Sequence, residues 1–368
     1  MLRPESEDEL AELIAAATRP LSPRGGGTRG ASVAGAQPID LGGLSGITLY
    51  EPAALTLVAR AGTPLAQVKS ALDANRQRLA FEPADWRGLL GTAGQPTVGG
   101  MVAANISGPR RVQAGAVRDA CLGVRFVDGR GTVIRNGGRV MKNVTGYDLV
   151  KLMAGSWGTL GVLTEVALKV LPAPEAEATL LLPGLDLPRA VQAMTLALGS
   201  AFEVTGAARL PDGRTLIRVE GFGPSVAYRA GRLADLLAPF GVAEVQGGTT
   251  SADLWRQVRD VAPFHGRSGD VWRFSLRPSQ AAMVGARLGG DVLIDWGGGL
   301  VWALLPAGAD ARALAAPHQG HAMLVRAGAD TRARLPRFEP WATPVAALAA
   351  GLRARFHPRG ILNPGLMG

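Results

Sequence analysis

A chain of 368 residues that is 47% hydrophobic has material for a sizeable core and the length of two domains rather than one or three. Its net charge of +9 comes from 39 basic residues, all but four of them arginine and spread along the whole length. With aromatics at only 5%, this pattern excludes a basic stripe interleaved with stacking side chains, as nucleic-acid binders carry. It leaves anionic small molecules and acidic proteins as partners. No apolar run reaches the roughly 18–20 residues of a membrane helix, and the N-terminus MLRPESEDEL is acidic where a secretory signal would be basic. A single cysteine, Cys121, allows no internal disulfide. A cytoplasmic protein is expected.

Taken in order, Ser6 and Glu9 form an S-x-x-E capping pair before Leu10, Leu13, Ile14 and Ala17, which predicts a first helix of about a dozen residues ending before Pro20. Next comes PRGGGTRG (Pro23 to Gly30). Gly25, Gly27 and Gly30 satisfy G-x-G-x-x-G, but prolines precede the motif and no helical period follows it, so it is not a Rossmann turn. What remains is a loop of consecutive amides flanked by Arg24 and Arg29, the kind of nest that binds phosphate. Strands are predicted at Ile47–Tyr50, Thr56–Arg60 and Leu79–Phe81. A helix follows Thr63 as N-cap, with Pro64 in its first position.

From Gln95 to Pro172 glycine recurs between apolar runs: Gly99, Gly100, Gly108, Gly115, Gly146, Gly155, Gly158 and Gly161. Each costs about 0.5–1 kcal/mol against alanine within an element. One of them alone marks a turn or bulge; the set points to a flat ligand with a phosphate tail laid along the backbone. Between them, Cys121–Val127 and Thr132–Arg135 read as a hairpin, Tyr147–Ala154 as a short helix and VLTEVALKV as a strand. Beyond Pro172 and Pro174, strands and helices at 178–345 fit a β-α-β-β-α-β layout, and a helix at Val345–Phe356 leads to HPRGILNPG.

Together PRGGGTRG, TVGGMVAANISGPRR, GGRVMKNVTGYDLVKLMAGSWGTLGVLTEVALKVLP, IDWGGGLVW and HPRGILNPG resemble the FAD-binding fold of the vanillyl-alcohol oxidase/para-cresol methylhydroxylase (PCMH) superfamily. More narrowly, the chain is similar to FAD-binding subunits of glycolate oxidase (glycolate dehydrogenase) complexes. The resemblance spans essentially the whole chain. It implies an α+β protein: a two-part PCMH-type FAD-binding domain at 1–172, a smaller α/β cap of ferredoxin-like layout at 173–344, and a tail at 345–368 returning to the first domain.

The resemblance also implies cofactor-binding residues. Arg24, Gly25, Gly26, Gly27, Thr28, Arg29 and Gly30 would hold the FAD pyrophosphate. Pro96, Thr97, Val98, Gly99, Gly100, Ala103, Ala104 and Gly108 would run beside pyrophosphate and flavin. Gly155, Gly158, Gly161 and Val162 would line the flavin or adenine side, and Asn363 would approach from the tail. Lys142 is the candidate cation beside the flavin N1–C2 edge, where charge tunes a reduced flavin. The pyrophosphate loop carries Thr28 and no histidine, and Cys121 lies away from attachment positions, so FAD is expected to be non-covalent. Where catalytic relatives carry a histidine-rich metal motif this chain reads GDVLIDWGGGLVW, and His318 and His321 in a loop do not make a metal site. No metal is expected.

The leading expectation is a subunit that binds FAD and supports electron transfer from a homologous catalytic flavin subunit to an iron–sulfur subunit, with a small 2-hydroxy acid as the substrate of the complex. One cysteine cannot hold a cluster. Association with the membrane would be peripheral and through partners. The alternatives are a self-sufficient dehydrogenase, with Arg256, Arg273 or Arg277 gripping the substrate carboxylate, and an assembly scaffold without catalysis.

Overall fold

The computed structural model describes residues 1–30, 32–139 and 146–368. The longest described strand makes the centre of the first sheet. Val162–Pro172 (β8) is buried along nearly its whole length, and such a two-faced apolar strand belongs in a sheet interior. Around it pair Ile47–Glu51 (β3), Thr56–Arg60 (β4), Cys121–Val127 (β6) and Val133–Gly137 (β7), in the antiparallel order β3-β4-β8-β6-β7, with Gln77–Leu79 (β5) on the far end of β8. Helices Leu65–Asp73, Val98–Ala104 and Leu149–Met153 bury Leu65, Val68, Leu72, Val98, Met101, Val102 and Met153 against it.

A second, smaller assembly carries the glycine loop 25–30. Leu21–Arg24 (β1) and Gln37–Asp40 (β2) pair in parallel. The N-terminal helix Glu7–Ala16 packs on them through Leu10 and Ile14. The C-terminal tail joins β1 as well: Leu21 N–H donates to the Ile361 carbonyl at 2.7 Å, and Asn363 N–H to that of Leu21 at 3.0 Å. Residue 363 is thereby delivered beside residues 24–30.

Residues 173–344 contain two β-α-β-β-α-β units, where the sequence suggested one. Ala176–Leu182 (β9), Gly206–Arg209 (β10), Thr215–Gly221 (β11) and Glu244–Gly247 (β12) pair in the order β12-β9-β11-β10. Asp270–Leu276 (β13), Asp291–Asp295 (β14), Leu300–Leu305 (β15) and Gly320–Arg326 (β16) repeat the pattern in mirror order, and β10 meets β14 to fuse them into one eight-stranded sheet. Helices Leu187–Leu198, Gly223–Leu237 and Ala281–Leu288 cover one face. The other face lies against the first half through Trp86, Ile106, Trp255, Trp296 and Trp302; Trp86 and Trp302 meet edge to face at 5.6 Å.

Buried charge joins the same two halves. Arg110 binds Glu220 through two bonds of 2.6 and 2.8 Å, Arg218 binds Glu82 through two of 2.9 and 3.0 Å, and Arg78 adds a third guanidinium on Glu220. Burial opposes charge on Glu220, but Arg218 and Arg110 outweigh it and hold its carboxyl well below the usual range.

Local details differ from the sequence reading. Ser6 Oγ does accept Glu9 N–H at 3.1 Å, but the Glu9 carboxylate returns to Glu5 N–H at 2.8 Å rather than to Ser6. The second helix starts at Leu65 with Pro64 as N-cap; Thr63 instead uses its hydroxyl to tie Gly46 and the Arg60 carbonyl. His321 stands in β16, not in a loop.

Candidate functional site: a glycine-walled cleft

Chain direction and side-chain size make the cleft. After β1, residues Gly25–Gly30 turn back on themselves, with Gly27 (φ 67°) and Gly30 (φ 59°) in the left-handed region open to glycine. Gly25 and Gly26 are needed for a different reason: a Cβ on Gly25 would fall on Thr97 Oγ1, and one on Gly26 on the Gln95 carbonyl. The loop therefore lies flat on the 94–97 backbone. The ligand explanation from sequence accounts for Gly27 and Gly30, which face open space, while neighbouring protein atoms, the Thr97 side chain, the Gln95 backbone and Ala61, account for Gly25, Gly26 and Gly99.

The loop's carbonyls are taken and its amides are not. Thr92 Oγ1 donates to the Thr28 carbonyl at 3.2 Å, and Arg337 Nη2 and Nη1 donate to those of Arg29 and Gly30 at 2.9 and 3.0 Å. Among the described residues no acceptor is bound by the N–H groups of Gly26 through Gly30. In a trans peptide N–H and C=O point in opposite directions. The N–H groups of Arg29 and Gly30 thus point away from Thr92 and Arg337.

The opposite walls come from Thr97, Gly99, Gly100, Ala103 and Ala104 on the helix Val98–Ala104, and from Trp157, Gly158, Gly161, Val162 and Leu163 leading into β8. Small residues leave a flat wall there. Asn363 closes one end, its Nδ2 donating to the Trp157 carbonyl at 2.9 Å. The cleft encloses about 1100 Å³ including its open mouth.

Its polar atoms are those of an anion site. Arg24 Nε, Arg29 Nε and Asn363 Oδ1 are buried without a hydrogen-bond partner among the described residues. Burial pushes Arg29 down to about 10, only partly offset by Asp85. A desolvated guanidinium beside unpaired amides is stabilised by an anion. The residues present fit FAD: diphosphate at the loop, planar rings along the small-residue wall.

The structure gathers most of the sequence candidates here: Arg24 to Gly30, Thr97, Gly99, Gly100, Ala103, Ala104, Gly158, Gly161, Val162 and Asn363 all line the cleft. Four do not and support its wall from behind. Pro96 accepts Leu65 N–H, Val98 sits in the core, Gly155 donates to the Val102 carbonyl, and Gly108 takes Trp296 Nε1 at 3.0 Å near the Glu82 cluster. Lys142 lies outside the described residues.

The cap arginines separate. Arg273, on β13, points its guanidinium at the Trp296 and Trp302 rings at 5.3 and 5.9 Å, with Arg111 on Trp296 at 4.4 Å. Neither side chain has an acidic partner or a hydrogen bond among the described residues. Burial, with the Arg111 charge adding to it, pushes Arg273 down to about 10. Arg277 follows the end of β13 and is exposed, and Arg256 pairs with Asp253 at 2.7 Å on the surface. A 273/277 clamp on one strand face is not formed.

Sequence reasoning missed three participants. Trp157, in the quoted GSWGTLG stretch, lines the cleft at φ 52°, with Phe338 edge-on at 5.5 Å and the Arg337 guanidinium at 5.0 Å. Arg337 acts across more than 300 residues of sequence, and no local signal marks it. Arg111 stood in the quoted ISGPRR motif, where its partner Trp296 could not be read.

Comparison with known proteins gives this geometry its family. The sequence profile of a family described as FAD binding domain matches residues 1–137. The chain is 38% identical over 333 residues to "Glycolate oxidase subunit GlcE" of Escherichia coli (strain K12), covering 90% of this chain and 87% of that protein. It is 32% identical over 185 residues to a D-lactate dehydrogenase of Anaerostipes hadrus, 48% of this chain and 37% of that one. Among solved structures, an alkyldihydroxyacetonephosphate synthase superposes with a TM-score of 0.69 at 17% identity, over 99% of this chain and 76% of that one. A chitooligosaccharide oxidase superposes with a TM-score of 0.67 at 15% identity, over 99% and 90%. The fold is thus the PCMH-type FAD-binding architecture with an α/β cap, and the chain belongs to the GlcE family of FAD-dependent oxidoreductases.

Proposed function

We propose that this chain is the FAD-binding subunit of a multi-subunit glycolate oxidase or dehydrogenase. It holds FAD non-covalently in the glycine-walled cleft and supports electron transfer from a homologous catalytic flavin subunit to an iron–sulfur subunit. The carrying observation is the loop 25–30, where the carbonyls of Thr28, Arg29 and Gly30 are held from behind and the amides of residues 26–30 have no partner among the described residues, in a chain so similar to a glycolate oxidase subunit. A second relative, 45% identical over 85 residues, is named glycolate oxidase subunit GlcD, of Bacillus subtilis (strain 168); this supports an assembly of unlike subunits. Residues 1–172 with 345–368 would form the cofactor half and 173–344 the cap, with any membrane contact made through partners.

Bound FAD supplies a two-electron acceptor, and the protein supplies binding and electrostatics. The amides of residues 26–30 with Arg24 and Arg29 neutralise the diphosphate, Asn363 and Trp157 fix the ring end, and Lys142 is the proposed cation near the flavin. Non-covalent binding is supported by the absence of histidine and cysteine from the described cleft lining, and by Cys121, whose thiol burial pushes up to about 12.

The Arg111–Trp296–Arg273 cluster favours a second reading, direct oxidation of a 2-hydroxy acid by this chain, because two unpaired guanidinium groups suit a carboxylate. The absorption spectrum of the purified flavin-loaded chain under anaerobic glycolate or D-lactate separates the two. Flavin that stays oxidised until the partner subunits are added is the expected result. Bleaching by either acid alone would establish the second reading, and no flavin band after adding FAD would overturn both.

A further inference from the structure

The helix Thr343–Phe356 leaves most of its larger apolar side chains uncovered. None of its residues is buried. The side it turns to the protein, spaced at three and four residues, is Ala346, Ala349, Arg353 and Phe356, all half-buried. Flanking that row, Val345 (51% exposed), Leu348 (72%) and Leu352 (40%) form an exposed stripe, with Trp341 just before it at 42%. A helix on a free protein surface places its larger apolar residues inward and polar ones outward. Here Val345, Leu348 and Leu352 stay exposed while two alanines, Arg353 and Phe356 take the inward row, and a contiguous exposed apolar stripe of this kind marks an interaction site.

Charge narrows what covers it. From Pro340 to Gly368 there is no aspartate or glutamate, and of its three arginines Arg359 is tied to the carbonyls of Ile14, Ala15, Ala17 and Gly129, which leaves Arg353 and the exposed Arg355 beside the stripe. The nearest acid in sequence, Glu339, is already engaged by Ala322 N–H at 2.6 Å and His318 at 3.4 Å. Arg353 is drawn to the Trp341 ring at 5.9 Å, beside the leucine face. At 1.5 Å per residue the helix is about 21 Å long, short of the roughly 30 Å hydrocarbon layer. Its arginines sit at one end rather than along a polar face, which is not how a lipid-surface helix is built.

We infer that the Val345–Leu348–Leu352 face, with Trp341, is the docking surface for another protein subunit, one that presents an apolar groove bordered by carboxylates. This helix-in-groove mode reads as anchors at i, i+3 and i+7. The inference rests on the multi-subunit reading above and assigns the surface that serves it.

The test co-expresses the full chain with the flavin and iron–sulfur subunits of its complex and measures how much of each is retained on the chain. Leu348→Glu removes the anchor and sets a carboxylate against the acidic rim. It is expected to lower partner retention about tenfold or more, with FAD content and thermal midpoint of the isolated chain unchanged. Leu348→Lys removes the same anchor with a matching charge and is expected to lose less. Full retention by Leu348→Glu would overturn the assignment, and equal loss by both variants would overturn the carboxylate rim. Light scattering showing a wild-type dimer that Leu348→Glu splits would assign the face to a second copy instead. Binding of the wild type, but not the variant, to vesicles containing phosphatidylserine would assign it to lipid. If the wild type retains no partner at all, the multi-subunit reading itself fails, whatever the variants do.

Discussion

Asp295 is a buried acid at the junction of the two halves, its Oδ1 accepting Trp296 N–H at 2.7 Å and no guanidinium bonded to it among the described residues. Burial dominates and pushes its carboxyl up to about 7, with Glu82 adding to the rise and Arg218 and Arg273 only moderating it. The folded chain therefore keeps a proton that the unfolded chain releases near pH 4. Its contribution to stability is complete below that pH and is lost as pH rises towards 7 and beyond. The distance from 3.8 to about 7 corresponds to about 4 kcal/mol as an upper bound. Asp295→Asn keeps an oxygen for Trp296 N–H and removes the titration. Urea unfolding is expected to show the variant gaining on wild type between pH 5 and pH 8; a constant difference across that range would contradict the assignment.

Among the elements, the cofactor loop depends on a strap it never touches in sequence. The strap, residues 336–339, is tied to β16 by Leu324 N–H donating to the Arg337 carbonyl at 2.8 Å and Glu339 N–H to that of Ala322 at 3.2 Å. From there Arg337 reaches two loop carbonyls and Trp157, two walls of the cleft at once. Burial pushes Arg337 down to about 10, and the neighbouring Arg332 adds to the fall; an anion in the loop would relieve both. Arg337→Ala is expected to raise the Kd for ADP, which carries the diphosphate without the flavin, by about tenfold, and Arg337→Lys to recover part of it. Unchanged ADP affinity in calorimetry would show that the loop holds its shape unaided. The loop itself was legible, because glycine spacing and flanking arginines are local signals, and so were the apolar runs of β3, β4, β6 and β8 and the alanine- and leucine-rich last helix. The strap was not, because Arg337 looks like any other arginine in an arginine-rich chain. The helix Gly248–Asp260 was missed for another reason: it opens GTTS, poor helix formers, and is held by burying Leu254, Trp255 and Val258.

At the scale of the molecule, two halves with separate sheets meet through a tryptophan-rich apolar cluster and a buried ion network. Sequence pattern announced both halves but counted one β-α-β-β-α-β unit in the cap where there are two. The runs of β14 and β15 read as strands, but β16 opens at Gly320 in a stretch that reads as a loop until its pairing with β13 is seen. Nor could pattern pair Glu82 with Arg218 or Arg110 with Glu220, since such pairs exist only once the halves face each other. The central proposal is that the first half, with Asn363 of the tail, forms one FAD site and holds the cofactor non-covalently. Titrating the flavin-stripped chain with FAD, then precipitating the complex with acid, tests it most directly. Saturation at one FAD per chain, with all the flavin released to the supernatant, is the expected result; no binding, or flavin that stays with the precipitated protein, would contradict it.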